Sequence, residues 1–530
     1  MKTPLSFGKG LLEKAVVNVW QLLSQLLCTP KKILFSVILF NVFSPSISQG
    51  QTVIRDKTFG GSVHDFLTSA ISTPDGGYLL VGDSRSTASG DKSEIGYGLS
   101  DYWIVKVDAQ LNKQWDKTFG GDFYDEGVHV ILAPDGGYLL LGLSGSDVSG
   151  NKTSSNKGSA DFWLIKIDQQ GNKVWEKDYG GSGNDAPFKI ISLKGGYLLA
   201  GISDSNASGD KSEDRKSDLD YWILRINPQG HKIWDKTIAS STISVDKIEK
   251  SAGSSDNWNV RINKQGNKVS DKTFRGTDLG ALFYTVSNAD GSYILAGSVA
   301  DSEGGFDILV EKFNAAGIKE WDKTFGGDSD DFFSCAASTP DGGYVLASSS
   351  SSNASGDKSE NSRDSSADYW VIKIDAQGNK KWDKTIGGNQ FDWPNSIIFS
   401  NGVYLVAGYS NSNISGDKTE NRRGTNPDNR GDFDYWSVLL TDPDQASRLA
   451  GCHLVDVYPS HASSIINIRH EGKADQANLS ILDFNGKLIM ERPISKEPLE
   501  QLDVSSFRKG IHYLKVISPE GSQIIRVVIE

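Results

Sequence analysis

The residues best placed to do chemistry recur in one polar phrase. Ser89-Gly90-Asp91-Lys92-Ser93-Glu94 returns as SGNKTS from Ser149, as SGDKSE from Ser208 and Ser355, and as SGDKTE from Ser415. Its carboxylates are Asp91, Glu94, Asp210, Glu213, Asp357, Glu360, Asp417 and Glu420. With the neighbouring hydroxyls they make an oxygen-rich set of the kind Ca²⁺ takes, since that ion gathers roughly six to eight oxygen ligands. The central lysine opposes the charge of such a site, and the spacing is not that of an EF-hand loop. Three readings stay open: a solvated loop, a calcium site, or a contact for a glycan or protein partner.

Two aspartates also recur. One opens a strand-like run at Asp101, Asp161, Asp220, Asp256, Asp307, Asp368 and Asp434; the other follows a Gly pair by four residues at Asp65, Asp125, Asp185, Asp331 and Asp392. Repetition favours carboxylates that accept turn N–H groups over a shared catalytic entrance. Enzyme signatures are sparse. Seven histidines include no H-E-x-x-H pair, His64, His129 and His231 do not recur, and no G-x-S-x-G opens a helix. Asp330-Asp331, and Asp432 with Asp434, are pairs a glycosidase could use only at a suitable separation in space. The DGG turns are no phosphate cradle, because no helix start or GKS sequence follows them.

These residues sit in a repeat. Asp101 to Gly121, DYWIVKVDAQLNKQWDKTFGG, alternates apolar and polar side chains on both sides of a turn and comes back in variant form six more times. A full unit such as Ser62 to Gly121 holds four strand-like runs, with turns at Asp75-Gly76-Gly77, Asp135-Gly136-Gly137 and Asp341-Gly342-Gly343. The first fragment, Thr52 to Phe59, has only a fourth-strand pattern, and the last unit, Asp392 to Leu440, lacks a fourth strand. The N-terminal strand can therefore complete the last unit and close a circle without exposed edges. The expected fold is all-β: a seven-bladed β-propeller over residues 49–440 with one abbreviated blade near Thr242 to Gly276, a linker at 441–451, and a small C-terminal β-sandwich over 452–530. A β-solenoid or open array is the alternative. Eleven of the thirteen tryptophans fall at two repeated positions, which assigns them to blade packing ahead of sugar stacking. Trp393 and the short fourth unit are the main breaks in repetition. The phrase D-x-x-G-N-x-x-W, as in Asp168 to Trp175, resembles repeats of quinoprotein-type propellers over about ten residues per unit and implies no cofactor.

The formal charge of −12 and pI near 5.2, without a Lys/Arg stripe, exclude a nucleic-acid phosphate binder. Residues 1–48 read as a targeting segment. Lys31 and Lys32 precede an apolar run, Ile33 to Phe43, and Ser46-Ile47-Ser48 supplies small residues before a cut at Gln49. The run falls short of the ~20 residues that span a bilayer, so no transmembrane span is expected in the mature chain. The segment is long for a signal peptide, which leaves the true start codon open. Cys28 lacks a lipoprotein cleavage context, and Cys335 and Cys452 alone make no disulfide framework.

After the repeats come VYPS at Val457, LSILDFNGKLI at Leu479, LDVSSFRKGIHYLKV at Leu502 and the terminal IIRVVIE. This segment resembles the type A (Por) C-terminal sorting domain of the Bacteroidota type IX secretion system. Tyr458-Pro459-Ser460-His461 stands where that family usually has Y-P-N-P, and Glu530 where a basic residue often ends the chain. The resemblance covers about fifteen per cent of the chain and implies the type IX machinery as a partner and a secreted or outer-membrane cell-surface destination. The repeats also look like those of large exported Bacteroidota repeat proteins. The expectation is a non-enzymatic module that presents its loop rim to a glycan or protein; the alternatives are a polysaccharide-active glycoside hydrolase and a structural surface protein.

Overall fold

The computed structural model describes residues 52–239, 257–263, 265–274, 281–288, 290–301, 305–364, 366–400, 402–424, 432–441, 455–458, 461–462, 464–469, 477–483, 488–494, 499–518 and 521–529. The targeting segment, the 441–451 linker beyond Thr441, Asp256 and Cys452 lie outside them. The described chain is all-β, built mainly from repeated four-stranded antiparallel sheets in a propeller-like arrangement. No described helix is long and apolar enough to cross a membrane.

Sheet one contains Asp65–Ser72, Tyr78–Ser84, Asp101–Val107 and Lys113–Phe119. Sheet two contains Asp125–Leu132, Tyr138–Ser144, Asp161–Ile167 and Lys173–Tyr179, and sheet three Asp185–Leu193, Gly196–Ser203, Asp220–Ile226 and Lys232–Ala239. Sheet four is the hairpin Asn257–Ile262 with Lys268–Phe274. Sheet five runs Ala281–Ser287, Tyr293–Ala300, Phe306–Phe313 and Lys319–Phe325; sheet six runs Asp331–Ser338, Tyr344–Ser350, Asp368–Ile374 and Lys380–Ile386. Sheet seven takes Asp392–Ser400, Val403–Ser410 and Asp434–Thr441, and its outer strand is the N-terminal Val53–Phe59, paired from Val53↔Leu440 to Phe59↔Tyr435. The first and last repeats therefore share one sheet, as their complementary half-units require.

The repeat residues explain the packing. Third strands such as Asp101–Val107 are buried along their whole length, because sheets cover both faces. In several sheets a third-strand aromatic reaches the next sheet: the Tyr102 hydroxyl donates to the Trp163 carbonyl at 3.1 Å, and the rings lie 4.9 Å apart. Tyr369 meets Trp436 in the same way, and Tyr435 of the last sheet meets Trp103 of the first, donating to its carbonyl at 2.9 Å. Fourth-strand tryptophans cover the next sheet's turn: a Cβ on Gly171 would stand 2.9 Å from Trp115, and one on Gly378 3.0 Å from Trp321. Both tryptophan sets are thus used in packing. The first strands line the inner side, those of sheets one and two, two and three, five and six, six and seven, and seven and one lying side by side, and each carries a bulge, as between Leu67 and Ser69.

The C-terminal segment forms two sheets, one of Asp456–Tyr458, Ile465–Arg469 and Leu499–Asp503, the other of His461–Ala462, Gly521–Ile529, Gly510–Ser518, Asn478–Asp483 and Leu488–Pro493. One apolar cluster, including Ile466, Ile468, Leu502, Leu479, Ile481, Leu514 and Val527, joins them. His461–Ala462 runs parallel to the last strand, while the other described pairs of this segment are antiparallel. Leu499–Asp503 is a strand that local patterning does not announce, since it is defined by its pairing with Ile465–Arg469.

Candidate functional site

The SGDKSE phrase closes on protein, on both sides. Asp91 donates its N–H to the Gly60 carbonyl at 2.8 Å and accepts the Gly60 N–H at 3.3 Å, which ties the loop of sheet one to the end of the preceding fourth strand. Asp210 does the same to Gly180, Asp357 to Gly326, and Asp417 to Gly387. The glutamates clamp the fourth strand of their own sheet. Glu94 accepts from Lys117 Nζ at 2.8 Å and Thr118 N at 2.7 Å, Glu213 from Lys236 at 2.9 Å, and Glu360 from Lys384 at 2.7 Å. Glu420 pairs with Lys57 and so seals the N-terminal strand. A cation from one loop meets the aspartate of the next: Arg423 with Asp91 at 2.8 Å, Lys157 with Asp210 at 3.0 Å, and Arg363 with Asp417 at 3.0 Å. Where sheet one offers Tyr97 in place of a cation, sheet two carries Asn151 in place of the aspartate. That correlated exchange was the readable sign of a clip.

The eight acidic residues considered for calcium are therefore each engaged by protein donors. The lysine inside the phrase is itself a buried cation, faced mainly by aspartates from outside the phrase. Lys92 is 2 % exposed, its ammonium lies 6.0 Å from the Trp103 ring centroid, and Asp101, Asp65, Asp116 and Glu94 supply its counter-charge. Among the described residues, no group of three or more His, Cys, Asp or Glu is gathered as a metal would need.

The recurring aspartates complete the framework. Asp101 accepts the Tyr97 N–H at 2.7 Å, while Asp65 accepts from Gly61 N at 2.6 Å and Ser86 Oγ at 3.2 Å. Asp331 and Asp434 belong to these two sets, so the acidic pairs they form with Asp330 and Asp432 are half structural. Burial pushes the carboxyls of Asp65, Asp101 and Asp392 up to about 6, and that of Asp368 up to about 7. An acid whose folded pKa is raised adds stability below its ordinary pKa and loses it as pH rises through the folded value. Asp116, Asp235 and Asp383 are held low by lysine and backbone hydrogen bonds despite burial, so their contribution is lost on the acid side. The thermal midpoint should accordingly rise as pH falls from about 8 to about 5, then drop below about 4. Calorimetry across that range checks this; a midpoint that falls steadily from pH 8 to 5 would contradict it.

What varies is the residue after the first-strand aspartate: Phe66, Glu126, Ala186, Phe332 and Trp393. The framework places these near the loop face on the inner strands, and around sheets five, six, seven and one they join an aromatic arc. Phe306 and Phe332 have ring centroids 5.0 Å apart, and Phe332 stacks on Trp393 at 6.1 Å. Trp393 pairs across the strands with Tyr409, whose ring meets Phe66 at 5.2 Å. Phe433 lies 5.5 Å from Phe66, and His64 stacks on Phe66 at 5.4 Å. All seven are half-buried. His64 Nε2 also stands 3.8 Å from Asp432 Oδ1, and the second oxygen of that buried carboxylate has no partner among the described residues. Beyond Phe66 the lining turns acidic. Asp83, its cross-strand partner, accepts from Ser100 Oγ at 2.9 Å and is pushed up to about 7 by burial and then by the Glu126 charge. Of this arc only Trp393 stood out in the sequence, because single aromatic residues scattered over four repeats have no local pattern.

Residues 456–530 match the family model of the secretion system C-terminal sorting domain. That type IX tail implies export to the cell surface or secretion, and engagement with the secretion machinery. No curated protein matches the chain. Among solved structures, a subtype N11 neuraminidase-like protein of A/flat-faced bat/Peru/033/2010 is 8% identical over 74% of this chain and 94% of its own, with a TM-score of 0.34. Hydrazine synthase of Kuenenia stuttgartiensis is 10% identical over 89% and 99%, TM-score 0.29. A gluconolactonase from Xanthomonas campestris is 8% identical over 73% and 100%, TM-score 0.29. Likenesses this slight say nothing of activity.

Proposed function

We propose that the chain is a seven-bladed β-propeller with one abbreviated blade and a C-terminal sorting sandwich, exported by the type IX system as a non-enzymatic glycan-binding module. The observation that carries the binding role is the half-buried aromatic arc from Phe306 to His64. Aromatic faces offer apolar area with little loss of side-chain entropy, and sugar rings present C–H faces that stack on them while their hydroxyls donate to carboxylates. Several weak contacts around one mouth would add as a multivalent set. A flat array of rings also suits a protein partner, which is the alternative outcome of the test below.

The test is a glycan array with the purified mature chain, with hydrolysis products followed in the same samples. Binding without turnover is expected, and Phe66→Ala and Trp393→Ala should each weaken it by about tenfold or more, equivalent to ~1.5 kcal/mol or more. Glycan binding unaffected by either change would sink the assignment to this arc; binding to a protein alone would redirect it. One observation favours a hydrolase as second reading, namely the near-neutral Asp83 carboxyl beside Glu126. Product formation lost in Glu126→Gln would establish that reading.

A further inference from the structure

Two basic side chains on the inner strands make no side-chain hydrogen bond or ion pair among the described residues. At the register following each first-strand bulge stand Ser69, His129, Lys189, Tyr284, Cys335 and Ser396. Side chains here reach toward the next sheet: Ser69 Oγ accepts the Val130 N–H at 3.4 Å, and Ser396 Oγ accepts the Ala70 N–H at 3.3 Å. His129 accordingly faces sheet three, where Lys189 lies. Sheet four has no first strand among the described residues, so Lys189 extends past it to sheet five, its ammonium 5.1 Å from the Tyr284 ring centroid. Lys189 is exposed, yet makes no hydrogen bond or ion pair among the described residues, in a chain whose net charge is −12. His129 Nδ1 is buried without a partner.

We propose that Lys189 and His129 together form a binding site for a small oxyanion on the inner side of the ring, between sheets three and five, where no first strand of sheet four is among the described residues. An anion seated there would accept from the Lys189 ammonium and from an imidazolium N–H of His129, so that its arrival draws a proton onto the ring. The local electrostatics fit. Burial and then the Lys189 charge hold His129 down to about 4, so its cation is disfavoured for want of a counter-charge. Tyr284, the remaining titratable contact, is held neutral by burial and adds no negative charge. The oxyanion is either a carboxylate, as on an acidic sugar, or a phosphate, and the site is independent of the aromatic arc.

The full mature chain would be titrated with sodium glucuronate, inorganic phosphate and, as a neutral control, glucose, at constant ionic strength. The expected result is a saturable rise in the thermal midpoint of roughly 2–4 °C with one of the two anions and none with glucose. Lys189→Gln should abolish the rise and Lys189→Arg should retain it. In parallel, the His129 imidazole, followed by NMR with labelled histidine, should titrate at least about one unit higher with the effective anion present. An equal rise in wild type and Lys189→Gln would overturn the proposal, as would an anion-independent His129 titration. If Lys189→Gln does not fold, the wild-type imidazole titration decides alone.

Discussion

A chain lacking residues 52–59 is expected to lose cooperative folding. Those residues are the outer strand of sheet seven, and their removal reopens the circle at the one seam where the two ends of the repeat meet. Phe59 is 1 % exposed and Thr58 fully buried. Asp56 accepts the Trp436 indole N–H at 3.0 Å and the Thr419 N–H at 2.9 Å, so its loss orphans a buried donor in the neighbouring third strand. Glu420 would lose Lys57. A lost core phenylalanine costs about 3–5 kcal/mol and each orphaned buried donor about 1–3 kcal/mol. The sum, on the order of 5–10 kcal/mol, rivals the whole stability of an ordinary domain. Urea unfolding should show either no native baseline or a strongly reduced midpoint and slope. An unchanged midpoint would mean that the circle does not depend on this seam. The milder Asp56→Ala should cost about 2 kcal/mol with the slope preserved.

The second large effect is expected at a glycine that looks innocuous. A Cβ on Gly120 would stand 1.7 Å from Asp101 Oδ1, inside a buried junction whose carboxylate is fixed by the Tyr97 N–H. Gly120→Ala should therefore destabilise by about 3 kcal/mol, the upper range of overpacking. Gly76 makes the contrast. Its φ of 87° disfavours a side chain, but nothing lies within 4 Å of its Cβ position. Gly76→Ala should cost only about 1 kcal/mol. The cause can be isolated by pairing Gly120→Ala with Asp101→Ala. If the clash is responsible, the double variant will be less destabilised than the sum of the two single changes. Strict additivity would assign the cost elsewhere. The same geometry recurs at Gly60 against Asp434 and at Gly180 against Asp161, which explains why the glycine pair and the strand-opening aspartate travel together through the repeats.

Much of this architecture is legible in the chain because repetition multiplies a weak signal. One D-Y-W-I-V-K-V run could be a strand in many settings; its return with the same turn and the same KT-F-G-G ending dictates the four-strand unit, and the complementary half-units at the two ends dictate their pairing. The roles of the SGDKSE carboxylates were not legible. Their composition suits calcium as well as a clip, and the clip contacts join residues some thirty positions apart, such as Asp91 with Gly60, or more than three hundred, such as Arg423 with Asp91, which no local pattern records.

The sequence by itself determined the all-β class, the four-strand repeat, the sharing of the last sheet between both ends of the repeat region, and the sorting tail, since each rests on local patterning or on contiguous motifs. The tertiary structure alone decided which side chains are left over for binding. Curving the sheets into a circle brings Phe306, Phe332, Trp393, Tyr409 and Phe66 from different repeats to one arc, and it sets the strand that carries His129 against the strand that carries Lys189. No periodicity records such neighbours, because they are fixed by how sheets face one another and not by the order of residues along any strand.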